Sequence, residues 1–235
     1  MADEVPEAAD GSDASSPSAI GVMGGLRKMC ETAARTLLAS GVGMSVMVGN
    51  GVRGLATASD AATERVEELQ FTLGEGPCID AFASRRPVLM PDLEDGGLRR
   101  WPVYASAVQE LGIRAVFAFP MQVGAARLGV LDVFRRRPGA LSPKELSEAL
   151  TLADLAVVTL LDGHDRASPA DGLDGAVERR AELFQAQGMV MVQLGSTIAE
   201  AMTRIRAYAF ASDRRLDDVA ADIVARRLTF DRDHP

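Results

Sequence analysis

Arginine side chains suited to nucleic-acid chemistry lie close together near the C-terminus. Arg204, Arg206, Arg214 and Arg215 fall in one short segment, and Tyr208 lies among them. A guanidinium binds phosphate through parallel hydrogen bonds and stacks on bases. A tyrosine ring stacks on unpaired bases, the usual target of specific RNA recognition. These residues are also typical of a solvated helix face paired with nearby acids, so residue types alone leave both interpretations open.

Residues that could carry catalysis are sparse. Cys78 follows Pro77 at the predicted start of a helix, a position that favours a reactive thiolate. We instead expect Cys78 and Cys30 to be reduced, packed side chains. His164 and His234 have no partner pattern for metal binding or acid–base work. We therefore predict no enzyme activity, no catalytic residue, no metal ligand and no cofactor.

The acidic charge is unevenly distributed. The chain has 235 residues and a net charge of −8, and residues 1–18 hold five acids and no base. Residues 175–235 hold nine acids and nine bases, and every base is arginine. The zero net charge of residues 175–235 excludes RNA binding through overall positive charge, but it allows binding through a local patch of arginines. The sequence contains no long apolar run and no secretory signal, so we predict a cytoplasmic protein without membrane contact.

Hydrophobic periodicity predicts an α+β region followed by an all-helical one. Residues 1–18 are expected to be a disordered acidic tail, 19–162 a first domain, 163–174 a linker and 175–232 a second domain. In the first domain the pattern predicts helices over 20–40, 61–70, from 77, 101–111 and 142–161, and strands over 44–48, 52–58, 87–90, 114–123 and 127–134. We expect a mixed or antiparallel sheet with flanking helices, and a hairpin turn at 49–51.

Three helices are predicted in the C-terminal region, over 177–193, 198–211 and 216–228. Thr197 and Glu200 have the spacing of a capping box at the start of the middle helix. A module of this size suits recognition better than chemistry. Gly188 lies inside the first of these helices, where glycine costs about 1 kcal/mol relative to alanine, so we expect close helix packing there.

The C-terminal region resembles the ANTAR domain, a three-helix RNA-binding module of bacterial transcription antitermination regulators. The matching segments are Gln185–Met191, the break at Gly195–Ser196, Ala199–Ala201, Ile205–Arg206 with Ala209, and Leu216–Val224. The resemblance implies a structural motif of small and apolar residues and an RNA-contacting set around Arg206. The motif residues are Ala186, Gly188, Met191, Ala201, Ala209, Val219 and Ala220; the contact set is Arg204, Arg206, Tyr208, Arg214 and Arg215.

The preceding region resembles the GAF domain, a small sensory fold. The markers are Leu73–Cys78, Pro87–Val88, Trp101–Pro102 and Leu128–Leu131. Together the two resemblances, in this order, are similar to the GAF–ANTAR regulators of actinobacteria. They imply an RNA-binding antiterminator that holds paired stem-loops of a nascent leader transcript and keeps a terminator hairpin from forming. They also imply a homodimer. In this interpretation the GAF-like domain is the signal input or the dimerisation module. Whether it binds a small-molecule ligand, and of which chemistry, stays open.

Two other functions remain open at the level of sequence. The helical module could instead bind a protein, as an interaction adaptor without RNA binding, which its zero net charge allows. A GAF-type sulfoxide reductase is the second alternative, although that chemistry needs a set of redox cysteines that two residues do not supply. The helices at 20–38 and 146–161 are the expected dimer surfaces, because they have more apolar positions than one sheet face requires.

Overall fold

The structure of the protein is a computed structural model that describes residues 17–48, 52–166 and 174–231, with side chains over 23–47, 57–162 and 181–231. The predicted acidic tail, the hairpin turn at 49–51 and most of the predicted linker lie outside these residues. The described elements are α1 (Pro17–Thr36), β1 (Gly41–Val48), β2 (Val52–Ala58), α2 (Ala61–Leu73), α3 (Pro77–Ser84), β3 (Val88–Met90), α4 (Leu98–Arg100), α5 (Pro102–Glu110), β4 (Ala115–Val123), β5 (Ala126–Arg135), α6 (Pro143–Arg166), α7 (Asp174–Leu194), α8 (Ile198–Ala211) and α9 (Leu216–Val224).

The described strands form one five-stranded sheet in the order β2-β1-β5-β4-β3. Every described strand pair is antiparallel, which confirms the α+β class and selects the antiparallel alternative. The central strands are buried on both sides, since side chains alternate between the two faces. Val130 and Phe134 of β5 face one hydrophobic core, while Leu131 and Val133 face another.

Helices cover both faces of the sheet. The first core lies under α2, α3 and α5 and includes the fully buried Trp101 and Tyr104. The second core lies under α1 and α6, which also pack on each other. Part of each predicted dimer helix is therefore buried within the chain. On α6 a separate set of apolar side chains stays exposed: Leu150, Leu155, Val158 and Leu161.

The first strand begins earlier than the periodicity predicts. Gly41 and Gly43 fall between the helix predicted over 20–40 and the strand predicted over 44–48, but both lie inside β1 and pair with β5. Helix α1 ends at Thr36, before Leu38, which has a φ of 48°. An added Cβ at Gly41 would lie 1.9 Å from Thr63 Oγ1, so this glycine allows α2 to approach the strand closely.

Two other boundaries differ for local reasons. The predicted loop at 92–100 contains helical turns, because Asp92 accepts a hydrogen bond from the Glu94 backbone N–H at 3.1 Å. Helix α9 ends at Val224 rather than at the predicted residue 228, since Arg226 has a φ of 58° and reverses the chain. Helix α6 reaches Arg166, inside the predicted linker.

The C-terminal helices pack around a small aliphatic core and also touch the sheet domain. Helix α7 packs on α8 and α9. The buried side chains of their shared core are Leu183, Ala186, Val190, Ala201, Ile205, Ala209, Leu216, Val219, Ala220 and Ile223. The capping box of Thr197 and Glu200 is present, as predicted. Helix α7 also lies against β2, and α8 lies against α2, so the two regions share a surface.

Helix α6 is fixed to the sheet through its first turn. Ser142 and Glu145 form reciprocal capping bonds of 2.7 and 3.3 Å, and Glu145 also pairs with Arg135 at the end of β5. These bonds lower the pKa of Glu145 from 4.5 to about 2, with the Ser142 backbone N–H as the largest cause. Because the folded-state pKa is depressed, the stabilisation is present above pH 4.5 and is lost as the pH falls towards about 2.

Glu145→Gln should therefore destabilise the protein in a pH-dependent way. Glutamine keeps a capping side chain but loses the charge that pairs with Arg135, at a cost of about 0.5–1 kcal/mol at pH 7. Urea unfolding should show the difference from wild type shrinking as the pH falls from 4.5 towards 2. Glu148→Gln, at an exposed pair of 3.8 Å with Lys144, is the control and should change little. A Glu145→Gln difference of equal size at every pH would contradict this account.

Candidate functional site

The predicted structural motif of the C-terminal module forms its interior. Five of the seven motif residues are 1% exposed or less, and they bring the three helices together: Ala186, Ala201, Ala209, Val219 and Ala220. Met191 packs at the edge of the same core. Small side chains at these positions let the helix backbones approach closely, so this part of the motif positions the surface residues rather than contacting a ligand.

Gly188 does not fit the expectation of close helix packing. An added Cβ at this position would have no heavy atom within 4 Å, other than its own helix backbone. The prediction of tight packing at Gly188 is therefore wrong, and the described residues offer no packing reason for glycine there. A side chain added at Gly188 would point into open space beside α7.

Arg214 and Tyr208 have contacts within the module. Arg214 pairs with Asp222 at 2.6 Å, and Asp222 also pairs with Arg227 at 2.7 Å. The Arg214 guanidinium is the main cause that lowers the pKa of Asp222. The Tyr208 ring meets Phe230 edge to face at 5.6 Å. These contacts hold α9 and the chain after it against α8.

Arg204 and Arg206 lie on different sides of α8. Arg204 is exposed to solvent. Arg206 is half-buried and lies against the C-terminal end of α2: an added Cβ at Gly74 would lie 2.3 Å from Arg206 Nη1. Helix C-termini carry partial negative charge, which favours a guanidinium there. Burial lowers the Arg206 pKa, and its Nε has no hydrogen-bond partner among the described residues.

Arg215 connects the module to the sheet domain by charge. Its guanidinium lies 3.8 Å from carboxylate oxygens of both Glu64 and Glu68 on α2. A third ion pair of 3.7 Å joins Arg65 to Asp213 in the turn before α9. Thus Arg206 and Arg215, two of the five predicted RNA-contacting residues, face the same helix of the sheet domain. Arg206 meets the C-terminal end of α2 and Arg215 meets its earlier turns, while Arg204 lies on the free surface.

The segment Leu73–Cys78 links three helices of the sheet domain. Gly74 ends α2 with a φ of 72°, which explains glycine at this turn. The Glu75 carboxylate accepts hydrogen bonds from the backbone N–H groups of Val103 and Tyr104 at 2.8 and 2.9 Å, and so caps α5. Gln70 Oε1 accepts from the Cys78 backbone N–H at 2.8 Å. This loop therefore fixes where Cys78 and Tyr104 lie.

Polar side chains meet inside the first core, beneath that loop. Glu67, Cys78 and Asp132 are completely buried, and one ligand atom from each lies within 4.8 Å of the other two. Ser45 donates to Glu67 Oε2 at 3.0 Å, and Gln70 lies 3.5 Å from Asp132 Oδ2. We call Glu67, Cys78 and Asp132, which come from α2, α3 and β5, the buried triad.

Small residues in the sheet leave room for the buried triad. Asp132 pairs across the sheet with Gly43 of β1 and Ala118 of β4. An added Cβ at Gly43 would lie 2.3 Å from Glu67 Oε1, so only glycine permits this carboxyl group to lie over the strand. Tyr104 closes the space from α5 and is also completely buried.

Burial dominates the protonation of these groups. Desolvation raises the pKa of Asp132 well above its usual range, and the Glu67 carboxyl beside it raises it further. The Tyr104 pKa is raised by burial and by the same acids. Cys30, in the second core, has its pKa raised to about 12, chiefly by burial. Its expected role as a packed, inert thiol agrees with this position.

Four polar residues of this core were not predicted from the sequence: Glu67, Gln70, Tyr104 and Asp132. One signal was available, because Asp132 interrupts the apolar run of β5 and a charged residue in a buried strand is rare. The sequence gives no such signal for Glu67, because it lies beside Glu64 and Glu68 in a segment that is mostly polar. Cys78 is buried in the first core as expected, and two acidic side chains, Glu67 and Asp132, also lie beside it.

Family comparisons match both regions of the chain. A GAF domain model matches residues 26–161, and an ANTAR domain model matches residues 171–224. No curated protein matches. Among the described residues, no helix has the length and apolar character needed to cross a membrane.

Three solved structures that are similar to this chain cover 60–63% of its length. A red/green cyanobacteriochrome in its red-light-absorbing state is 14% identical with a TM-score of 0.50, over 63% of this chain and 98% of its own. The GAF domain region of a putative membrane protein from Geobacter sulfurreducens is 16% identical with a TM-score of 0.46, over 60% and 97%. A free methionine-R-sulfoxide reductase from Thermoplasma acidophilum is 15% identical with a TM-score of 0.42, over 63% and 96%.

At these identities the structural neighbours show the fold alone. The two domains together are typical of a regulatory protein rather than an enzyme. The GAF match spans more than half of the chain and coincides with the five-stranded sheet and its helices. The chain belongs to the GAF domain family and carries an ANTAR domain after its GAF domain.

Proposed function

We propose that this protein is a cytoplasmic transcription antitermination regulator that binds paired stem-loops in nascent leader RNA through its ANTAR domain. ANTAR domains are RNA-binding antitermination modules, and GAF domains are sensory. The observation that carries the proposal is the ANTAR match over 171–224, together with the three-helix core that its motif residues form. Bound RNA would be held in a form that excludes the overlapping terminator hairpin.

The surface of α8 supports RNA contact by charge. Arg204 is exposed and positively charged, whereas the Arg206 Nε is buried and has no hydrogen-bond partner among the described residues. Once α8 moves away from α2, a phosphate oxygen would satisfy this donor through a charge-assisted hydrogen bond. Arg214 and Tyr208 hold α9 in place, so their share in RNA binding would be to shape the surface beside Arg206.

The contact between the two domains gives this function a means of control. Arg206 and Arg215 both lie against α2. The carboxylates of Glu64 and Glu68 pair with the Arg215 guanidinium, which would otherwise be available to a phosphate group. RNA and α2 would then compete for the same guanidinium groups. A signal in the GAF domain that loosens α2 from α8 would raise RNA affinity, because only the open form binds.

Exposed apolar residues on α6 support a homodimer. Leu150, Leu155, Val158 and Leu161 are each 42–53% exposed and lie on one side of the helix. Pairing α6 with its copy would bury this stripe and place two ANTAR domains on one RNA. Two linked modules bind a doubled target more tightly than one, through effective concentration.

RNA binding should be direct, salt-sensitive and dependent on α8. Binding of the full chain to a leader RNA with two adjacent stem-loops should weaken steeply as salt rises. Arg206→Ala and Arg204→Ala should each lower affinity about tenfold, which corresponds to about 1.4 kcal/mol, and reduce the salt slope by about one. Filter binding or fluorescence anisotropy measures both quantities.

Arg137→Ala is the matched control, because Arg137 is an exposed arginine of the GAF domain. It should bind RNA as wild type does. Circular dichroism establishes that each variant is folded. If the wild-type chain and the Glu64→Gln/Glu68→Gln variant both fail to bind RNA at low salt, the RNA-binding proposal is wrong and the module is a protein-interaction adaptor.

Removing the acidic partners on α2 should activate RNA binding. Glu64→Gln/Glu68→Gln breaks the ion pairs with Arg215, and the loss of about 1 kcal/mol from the closed form would raise apparent RNA affinity about fivefold. Glu148→Gln removes an acid from α6 and should leave RNA affinity unchanged. Unchanged affinity in the double variant would show that the contact with α2 does not restrain the ANTAR domain.

Charge on the α6 stripe should break the dimer. Leu155→Arg/Val158→Arg should convert the protein to a monomer in sedimentation experiments, since two arginines per chain repel across the paired helices. Affinity for the doubled stem-loop should fall, while affinity for a single stem-loop stays constant. Leu111→Arg, on an exposed leucine of the GAF domain, should leave the oligomeric state unchanged. A persistent dimer in the double variant would place the interface elsewhere.

A further inference from the structure

We propose that the buried triad of Glu67, Cys78 and Asp132 binds one thiophilic divalent cation, of which Zn²⁺ fits the ligand set best. The three ligand atoms lie within 4.8 Å of one another, on side chains that are completely buried. They come from three separate elements that the sheet and the Leu73–Cys78 loop hold in place. The proposal concerns the GAF domain and does not depend on RNA binding.

The charges inside the core favour a cation. The polar side chains placed beside Asp132 are the Glu67 carboxyl, the Cys78 thiol and the Gln70 amide, and none of these three is positively charged. Tyr104, which is completely buried in the same core, adds no positive charge. Buried carboxylates are paired with a cation or kept neutral, because isolated charge in the core is costly. A divalent ion would neutralise two of the three acidic groups at once.

Tyr104 gives an independent sign of a missing ligand. Its side chain is completely buried, and its hydroxyl has no hydrogen-bond partner within the described part of the chain. A buried hydroxyl without a partner is rare and requires an explanation. Its neighbours are the same three groups. A water or small anion on the bound ion would accept a hydrogen bond from Tyr104 and satisfy it.

The donor set selects the class of ion. A thiolate favours Zn²⁺ or Fe²⁺ over Mg²⁺ and Ca²⁺, whose preferred ligands are all oxygen. Two carboxylates and one thiolate supply three ligands of a tetrahedral site, and the fourth position remains open. An open position next to Tyr104 would let a small exchangeable ligand reach the ion, which gives the GAF domain a chemical input.

The test uses Co²⁺ as a spectroscopic substitute for Zn²⁺. The full chain, stripped of metal by a chelator, is titrated with Co²⁺ in its native state and also refolded with the ion present. One Co²⁺ per chain should bind with a near-ultraviolet charge-transfer band, because a thiolate is a ligand. Zn²⁺ should remove the band by displacement and raise the melting temperature of the wild-type protein.

Two cysteines provide a matched pair of variants. Cys78→Ser should abolish the band and the Zn²⁺-dependent rise in melting temperature, whereas Cys30→Ser should keep both. Asp132→Asn should weaken Co²⁺ binding at least tenfold while it leaves Cys78 intact, and circular dichroism without metal checks its fold. The proposal is overturned if the wild-type chain gives no thiolate band, or if the band survives Cys78→Ser or disappears in Cys30→Ser. Binding without such a band would be surface binding and would also overturn it.

Discussion

The arrangement of the GAF domain depends on one constraint, the burial of Asp132 in the middle of a strand that is covered on both sides. A carboxyl group at that position cannot reach water, so its neighbours have to provide polar contacts or accept its neutral form. Gly43 and Ala118 beside it leave space, and α2 brings Glu67 and Gln70 into that space. The close approach of α2 to the sheet follows from these small residues.

The Leu73–Cys78 loop has a mainly architectural role in this arrangement. Its residues end one helix, cap another and begin a third. The Gly74 backbone N–H donates to the Gln70 carbonyl, and the Gln70 and Glu75 side chains accept from backbone N–H groups of α3 and α5. Such contacts fix the relative positions of α2, α3 and α5 more precisely than apolar packing does. The thiol of Cys78 is therefore held at a defined place beside the carboxyl groups of Glu67 and Asp132.

The sequence predicts the architecture better than it predicts the contacts. Helix and strand positions follow from periodicity, and the capping pairs at Ser142 and Thr197 are visible as local patterns. The glycines of β1 fall outside the predicted strand. Their role is to make room for side chains of α2, which lie far away in the sequence, beyond β2. The RNA-contacting set was identified by resemblance and remains a prediction. The contact of Arg206 and Arg215 with α2 is a tertiary feature that local pattern does not encode.

Helix α2 presents neighbouring acids to two different surroundings. Glu67 points into the core, while Glu64 and Glu68 reach Arg215 on the outside. One helix thus joins the interior of the GAF domain to the surface of the ANTAR domain over the width of a single turn. This places a limit on domain exchange, because a hybrid that joins a foreign GAF domain to this ANTAR domain loses the acids that pair with Arg215. The two domains of such a hybrid would meet without the ion pairs that join them here.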